Sequence, residues 1–155
     1  MTEISRRAVL GMAGIWPIAA SAQTSAPTDA YVYIIWPNNG QRVKGAFWCR
    51  FGLRNMGVTR AGDATPNVGH HHLLIDANEP LNPAEPIPTG RNYLHFGAGQ
   101  TEARLELPPG PHTLQLALGD AEHKLFNPPV MSKKVHIVVV AATSQTSGND
   151  TGAKL

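Results

Sequence analysis

Cysteine is almost absent from this sequence, in which Cys49 is the single example among 155 residues. One cysteine excludes an intrachain disulfide and a zinc site built from several thiolates. Cys49 falls on the inward side of a predicted strand, so we interpret it as a small buried apolar residue. The sequence also lacks a Gly-x-Ser-x-Gly, phosphate-loop or dinucleotide-binding motif, and we therefore favour a binding or interaction protein over an enzyme.

A strong charge of one sign is missing as well. The 13 Lys and Arg residues and the 11 Asp and Glu residues leave a formal net charge of +2, and no basic block appears. Electrostatic binding of nucleic acid requires clustered positive charge, so we expect no nucleic-acid partner. The 15 glycines and 13 prolines also disfavour long uninterrupted helices.

The apolar run near the N-terminus is too short for a membrane span. It covers residues 8–20, whereas a spanning helix needs roughly 20 apolar residues. Ser5-Arg6-Arg7 precedes it and Ala20-Ser21-Ala22 follows it, which is the pattern of an export signal over residues 1–22. The arginine pair resembles a twin-arginine signal, with ordinary secretion as the alternative. We expect a periplasmic or secreted protein with no stable membrane insertion after cleavage.

Short alternating segments make up most of the remaining chain. Apolar residues at every second position, or clusters of β-branched and aromatic residues, mark seven segments that turn residues separate. These segments are residues 30–36, 43–54, 70–75, 93–96, 103–107, 112–118 and 132–141. The pattern predicts an all-β domain over residues 30–141. We expect an antiparallel immunoglobulin-like β-sandwich of about seven strands, with a small barrel as the alternative. Residues 23–29 are predicted to be a leader and residues 142–155 a disordered tail.

Three consecutive histidines open the third segment, in Gly69-His70-His71-His72-Leu73-Leu74-Ile75-Asp76. A strand alternates its side chains across two faces, which places His70 and His72 on one face and His71 on the other. Two imidazoles at positions i and i+2 can chelate one metal ion, because neutral imidazole is the commonest protein ligand for metals. A closed site needs three or four ligands, so this pair must recruit others.

Further ligands are available on both sides of this strand. His95 precedes a Gly-x-Gly break, and His123 follows Gly119-Asp120 in a loop. Met56 lies in another loop, and its thioether would favour Cu(I) over Zn(II). Asp120 could orient an imidazole from outside the ligand shell. The predicted metal site therefore comprises His70, His72, His95, His123 and Met56, and its ion is copper or zinc.

The other histidines have structural explanations. His112 starts a strand of inward leucines, in a setting where immunoglobulin-like sandwiches often place a corner tyrosine that bonds nearby backbone. His71 shares its strand face with Leu73 and Ile75, which indicates a core position. His136 lies among lysines and indicates a surface position. We expect none of the three to bind metal.

Several motifs of the domain resemble one known family. They occupy residues 51–53, 56–58, 61–62, 69–76, 94–102, 107–116, 119–123 and 128–130. Over roughly residues 30–140 they are similar to the uncharacterised bacterial exported family called domain of unknown function 4399. The resemblance implies a secreted single domain and no particular activity. Members often carry a second histidine near the position of Phe126, where this sequence has phenylalanine.

Two functions are compatible with these observations. The first is a module that binds a transition metal through its clustered histidines. The second is a structural or interaction module of the cell envelope, in which the histidines are a hydrogen-bonded scaffold and the proline-rich loop 77–91 contacts an unidentified envelope protein. An enzyme similar to copper–zinc superoxide dismutase is disfavoured, because it needs a larger ligand set and a disulfide that one cysteine cannot form.

Overall fold

The computed structural model of the chain describes residues 23–142, and their regular structure is entirely β. This confirms the predicted all-β class. The predicted export signal over residues 1–22 lies outside the described residues, as does all of the predicted tail after residue 142. Between residues 23 and 142, no helix has the length and apolar character needed to cross a membrane.

Nine strands are present in the described part of the chain. They are β1 (Tyr31–Trp36), β2 (Gln41–Lys44), β3 (Phe47–Arg54), β4 (Gly57–Val58), β5 (Val68–Ile75), β6 (Tyr93–His95), β7 (Glu102–Leu105), β8 (Gly110–Gly119) and β9 (Val135–Val140).

These strands form two sheets. The smaller sheet has the order β1-β3-β7, and the larger has the order β2-β9-β8-β5-β4 with β6 also paired to β5. Most neighbours are antiparallel, as predicted. The prediction of a purely antiparallel arrangement is wrong, however, because β2 runs parallel to β9 and β4 runs parallel to β5. Alternation along a single strand reports which side chains share a face and carries no information on the direction of the neighbouring strand.

The strand count also differs from the expected seven, because one predicted strand is two. The run over residues 43–54 breaks at Gly45, where φ is +59°, a conformation that glycine adopts without steric cost. Val43 before the break belongs to the larger sheet and Phe47 after it belongs to the smaller sheet. Both side chains are buried, so an apolar pattern that looks continuous conceals a change of sheet. The two-residue β4 is the other addition.

One hydrophobic cluster fills the space between the two sheets. Val32 and Phe51 come from the smaller sheet, and Leu73 and Leu116 come from the larger sheet. Cys49 belongs to the same cluster and is fully buried. Burial raises the pKa of its thiol to about 12, so this cysteine is an inert packing residue, as the sequence indicates.

A second hydrophobic cluster lies on the opposite face of the larger sheet. It combines Leu74 of β5 and Ala117 of β8 with Ile87 and Leu125 from loops. Ile87 belongs to the proline-rich loop 77–91, which therefore packs across this outer face. As a result β5 is covered on both sides, and seven of its eight residues are buried. The histidines of β5 are positioned by this double burial.

Candidate metal centre

His70 and His72 project from β5 onto the outer face of the larger sheet, and both side chains are fully buried. The antiparallel register places His70 opposite Gly119 and His72 opposite Ala117 of β8. Small residues opposite the two imidazoles leave room for them to lie side by side. Their ring centroids are 4.9 Å apart, and the two Nε2 atoms are 3.0 Å apart.

Gly119 provides much of this room. A Cβ atom at position 119 would lie 2.8 Å from Nε2 of His72 and 3.3 Å from Cε1 of His70. Carbon and nitrogen atoms that are not bonded do not approach to 2.8 Å without displacing one another. The positions of both imidazoles therefore depend on the missing side chain of Gly119.

His95 reaches the same place from β6. The antiparallel pairing of β5 with β6 sets His95 opposite His72. Its ring centroid lies 5.0 Å from that of His70 and 5.0 Å from that of His72. His95 is exposed, so the cluster opens to solvent on this side. Gly97 lies beneath the ring, and a Cβ atom there would lie 2.8 Å from Nε2 of His95.

His123 completes the group from a tight turn after β8. Its ring centroid is 4.9 Å from that of His70, 4.8 Å from that of His95 and 6.1 Å from that of His72. The backbone of His123 adopts φ +65°, a left-handed conformation that side chains other than glycine adopt rarely and that concentrates at functional sites.

Asp120 shapes this turn through hydrogen bonds at both carboxylate oxygens. Oδ1 accepts hydrogen bonds from the backbone N–H groups of Glu122 and Lys124, each at 2.9 Å. Oδ2 accepts a hydrogen bond from the hydroxyl of Thr24 at 2.7 Å. The backbone carbonyl of Asp120 also accepts a hydrogen bond from the N–H of His123. The carboxylate therefore supports the turn that carries His123 through hydrogen bonds with the backbone, whereas the sequence suggested contact with an imidazole.

Three of the four histidines bring ring nitrogens close enough together that they could hold a metal ion, and His123 is not part of this trio. One ring nitrogen from each of His70, His72 and His95 lies within 4.8 Å of the others. Ligand nitrogens around a tetrahedral Zn²⁺ are about 3.3 Å apart, given bonds of about 2.0–2.1 Å. The 3.0 Å separation between His70 and His72 is close to this value. The wider separation within the trio closes if a ring moves by about 1–1.5 Å, and His95 is exposed and free to turn.

The pKa values keep the buried imidazoles neutral. Burial, followed by the nearby His123 and His95, lowers the pKa of His70 to about 4, and the Asp120 carboxylate partly opposes this shift. Burial and then His70 lower the pKa of His72 to about 3. Burial also lowers the pKa of His95. Metals bind the neutral imidazole, so both buried side chains present lone pairs at neutral pH without first losing a proton.

All three histidines of β5 have a buried ring nitrogen that is unpaired. In the described residues 23–142, one buried nitrogen on each ring lacks a hydrogen-bond partner: Nδ1 of His70, Nε2 of His71 and Nδ1 of His72. A buried polar group left unpaired costs about 1–3 kcal/mol. Metal bound at the Nε2 atoms of His70 and His72 would leave their Nδ1–H groups equally unpaired, so these atoms do not separate a metal site from a hydrogen-bonded scaffold.

The other residues singled out in the sequence lie elsewhere. Met56 packs against the main hydrophobic cluster, and we leave it out of the ligand set developed below. The Nδ1–H of His71 donates to the carbonyl of Gln100 at 3.1 Å, and its ring lies 5.3 Å from that of Phe51. His112 bonds the Asp76 carboxylate and a backbone carbonyl, in agreement with its predicted structural role. His136 is exposed on β9.

Gly119 and Thr24 are the contributors that sequence reasoning missed. Gly119 ends a run of leucines, and its importance appears only once the register places it opposite His70. Thr24 lies in the segment predicted to be a leader. Its link to Asp120 spans 96 positions of the chain, and no local pattern indicates such a contact.

Together, the fold and the cluster define an all-β domain whose outer sheet face holds four converging histidines. The sequence profile of the family described as Domain of unknown function (DUF4399) matches residues 49–140. This match covers more than half of the chain, and the protein belongs to that family, which confirms the resemblance seen in the sequence. All four histidines lie inside the matched region, and residues 23–48 lie outside it. No significant match was found among curated proteins or among solved structures.

Proposed function

We propose that this protein is an exported periplasmic module that binds a transition metal, copper or zinc, through His70, His72, His95 and His123. The observation that carries the proposal is the convergence of four imidazoles from three separate elements, with ring centroids 4.8–6.1 Å apart. Polar rings gain little from clustering by themselves, whereas a shared cation binds several imidazoles at once.

The scaffold for this site is proposed to be an immunoglobulin-like β-sandwich. Two sheets with a shared core support it. Such a scaffold suits a metal site because its strands hold ligands rigidly, and rigid elements position a site more precisely than loops do. Two ligands come from the doubly covered β5, and the others come from β6 and the turn after β8. The export assignment is supported by the signal pattern of residues 1–22.

The donor set favours the divalent ions over Cu(I). Imidazole suits Zn²⁺ and Cu²⁺, whereas Cu(I) is selected by thiolate and thioether sulfur. Met56, the thioether that the sequence placed as a candidate, packs against the main hydrophobic cluster, and the Cys49 thiol is buried within that cluster. We therefore expect Cu²⁺ and Zn²⁺ to bind more tightly than Cu(I).

A competing function has some support. The 3.0 Å contact between Nε2 of His70 and Nε2 of His72 is a hydrogen bond if one nitrogen carries the proton. This contact would suit a scaffold in an envelope module that binds another protein through loop 77–91. The gathering of His95 and His123 around the pair weighs against it, because the His70–His72 hydrogen bond requires neither of them.

Metal titration separates the two functions. Apo-protein would be titrated with Zn²⁺, Cu²⁺ and Cu(I), for the wild type and for the substitutions His70→Ala, His72→Ala and His136→Ala. Loss of a residue that only orients a ligand costs 10–100-fold in affinity, so loss of a ligand itself should weaken binding by at least about 100-fold. The exposed His136 serves as the control and should change nothing.

Wild-type-like affinity in the His70→Ala protein would overturn the proposal. The scaffold function would instead be supported by an envelope partner that is captured equally well by the wild type and by a variant lacking all four histidines.

A further inference from the structure

His123 is held by three segments that come from distant parts of the chain. Its own turn is closed by Asp120, as described above. The proline-rich loop reaches it through the N–H of Ile87, which donates to the carbonyl of His123 at 2.7 Å. The third segment is the N-terminal stretch 23–26, which contacts the turn through Thr24. We define residues 23–26 as the N-terminal clamp.

The N-terminal clamp is attached along its length. The side-chain amide of Gln23 donates to the carbonyls of Pro83 and Leu125, at 3.0 and 3.3 Å. The carbonyl of Thr24 accepts from the N–H of Asn127 at 2.8 Å, and the N–H of Ala26 donates to the carbonyl of Asn127 at 3.0 Å. Ala26 itself is buried in the main core. A segment predicted to be a leader is thus integrated into the domain.

The clamp meets the metal centre at one polar contact. Asp120 is 4% exposed, and a buried carboxylate needs its acceptors satisfied. Two backbone N–H groups satisfy Oδ1 from within the turn, and the Thr24 hydroxyl satisfies Oδ2. Removing the hydroxyl would leave a buried carboxylate oxygen short of a donor, and the turn can relieve this by rotating Asp120 towards solvent. That movement would carry His123 with it.

We propose that Thr24 is a positioning residue for the metal centre, acting through Asp120 to hold His123 at the ligand position. This inference rests on the proposed metal-binding function and extends it to a part of the chain outside the region that matches the family, residues 49–140. The position of His123 therefore depends in part on a residue, Thr24, that lies outside the family match.

The test uses four single variants of the purified protein and the double variant Thr24→Val/His123→Ala. Thr24→Val removes the hydroxyl and keeps the shape. Thr24→Ser restores the hydroxyl, Ser25→Ala changes the neighbouring exposed residue, and His123→Ala removes the ligand. Each is titrated with Cu²⁺ alone and with Zn²⁺ alone. The electron paramagnetic resonance spectrum of the Cu²⁺ form reports the number of nitrogen ligands, and thermal unfolding of each apo-protein reports its folding.

We expect Thr24→Val to weaken metal binding about 10-fold, the lower end for loss of an outer-shell partner. Its Cu²⁺ spectrum should shift towards that of His123→Ala, while Thr24→Ser and Ser25→Ala resemble the wild type. The double variant Thr24→Val/His123→Ala should bind no more weakly than His123→Ala, because residues that act through one another are not additive.

Three outcomes would overturn the inference in recognisably different ways. Wild-type affinity and spectrum in Thr24→Val would refute the positioning role while the metal site stands. A further loss of affinity in the double variant would show that Thr24 acts by a route other than His123. Absence of metal binding by the wild type, the Thr24 variants and His123→Ala alike would refute the proposed function and this inference together.

Discussion

The inward face of β5 and its outward face are both buried, but they use their histidines differently. On the inward face, His71 bonds the Gln100 carbonyl and packs beside Phe51, next to Leu73. On the outward face, His70 and His72 face each other and two further histidines. Each of the three rings has one unpaired buried nitrogen, so the two faces differ in what surrounds the rings. The same strand therefore carries His71, which packs in the core, and His70 and His72, which lie in the histidine cluster.

Burial on both faces of β5 has energetic consequences. Each fully buried aliphatic side chain contributes about 1.5–3 kcal/mol to folding. Each unpaired buried polar atom costs about 1–3 kcal/mol. The buried leucines therefore offset what the unpaired nitrogens of all three histidines cost. On the outward face, the hydrophobic cluster that contains Leu74 and Ile87 covers part of the sheet. We therefore expect that a substitution on one face can change stability or metal affinity without an equal change in the other quantity.

The largest expected effect comes from the inward face. Leu73 is fully buried between the sheets, and Leu73→Ala should lower the free energy of unfolding by about 2–5 kcal/mol through lost burial and a residual cavity. The folded fraction should keep its metal affinity, because Leu73 points away from the histidine cluster. Denaturant unfolding and metal titration of the same preparation measure the two quantities. An equal loss in both would mean that the faces are not separate.

The next effect comes from the outward face. Gly119→Ala would place a Cβ atom 2.8 Å from Nε2 of His72, and this buried ring has no free space in which to turn. We expect metal affinity to fall about 10-fold or more, in line with the disruption of a ligand's immediate support, and the free energy of unfolding to fall by less than in Leu73→Ala. Isothermal titration with Zn²⁺ and denaturant unfolding would measure the two changes.

Gly97→Ala provides the matched comparison. Its new Cβ atom would meet the ring of His95 in a similar way, but His95 is exposed and can swing into solvent. The apo-protein should therefore lose little stability, while metal affinity still falls. If Gly119→Ala and Gly97→Ala behaved alike in stability, the contrast between the buried and the exposed half of the cluster would be wrong.

Much of this arrangement could be predicted from sequence because it depends on alternation within one strand. The alternation separated His70 and His72 from His71, identified Cys49 as a core residue and predicted an all-β domain. The bonding of His112 to backbone was also anticipated. Each of these inferences requires only the local period of two residues.

The remainder could not be predicted because it depends on contacts between distant segments. The split at Gly45 moves the chain between sheets without interrupting the apolar pattern. The role of Gly119 follows from its register opposite His70. Met56 was a reasonable ligand by residue type, and its packing against the core follows only from the tertiary fold. The metal itself stays a prediction.

The smallest expected effect on stability concerns His112, which differs from His70 and His72 in favouring the charged form. His112 has acceptors at both ring nitrogens, since Nδ1 faces the Asp76 carboxylate at 2.7 Å and Nε2 faces the Pro108 carbonyl at 2.8 Å. Both nitrogens can donate only in the imidazolium form. Burial opposes that charge, but the Asp76 and Pro108 bonds outweigh it and raise the pKa of His112 above 6.5. In His70 and His72 the direction is the reverse.

The interaction between His112 and Asp76 should stabilise the protein only over a limited pH range. Burial opposes the Asp76 carboxylate, but hydrogen bonds from Thr113 and His112 outweigh it and lower its pKa below 3.8. The stability from His112 is complete below pH 6.5 and is lost as pH rises through its raised pKa. The stability from Asp76 is complete above pH 3.8 and is lost as pH falls through its lowered pKa. The His112–Asp76 pair therefore contributes most to stability between pH 3.8 and pH 6.5.

His112→Gln should accordingly destabilise the protein most near pH 5 and least near pH 9. The Asp76 side chain is 39% exposed, so solvent screens the interaction and the effect should stay within about 1 kcal/mol. Denaturant unfolding at both pH values, with the exposed His136→Gln as the control, measures the difference. A loss that is equal at both pH values would show that His112 acts by packing and neutral hydrogen bonds. In that case the charge contrast with His70 and His72 would disappear, and the separation between packing and chemical histidines would rest on geometry alone.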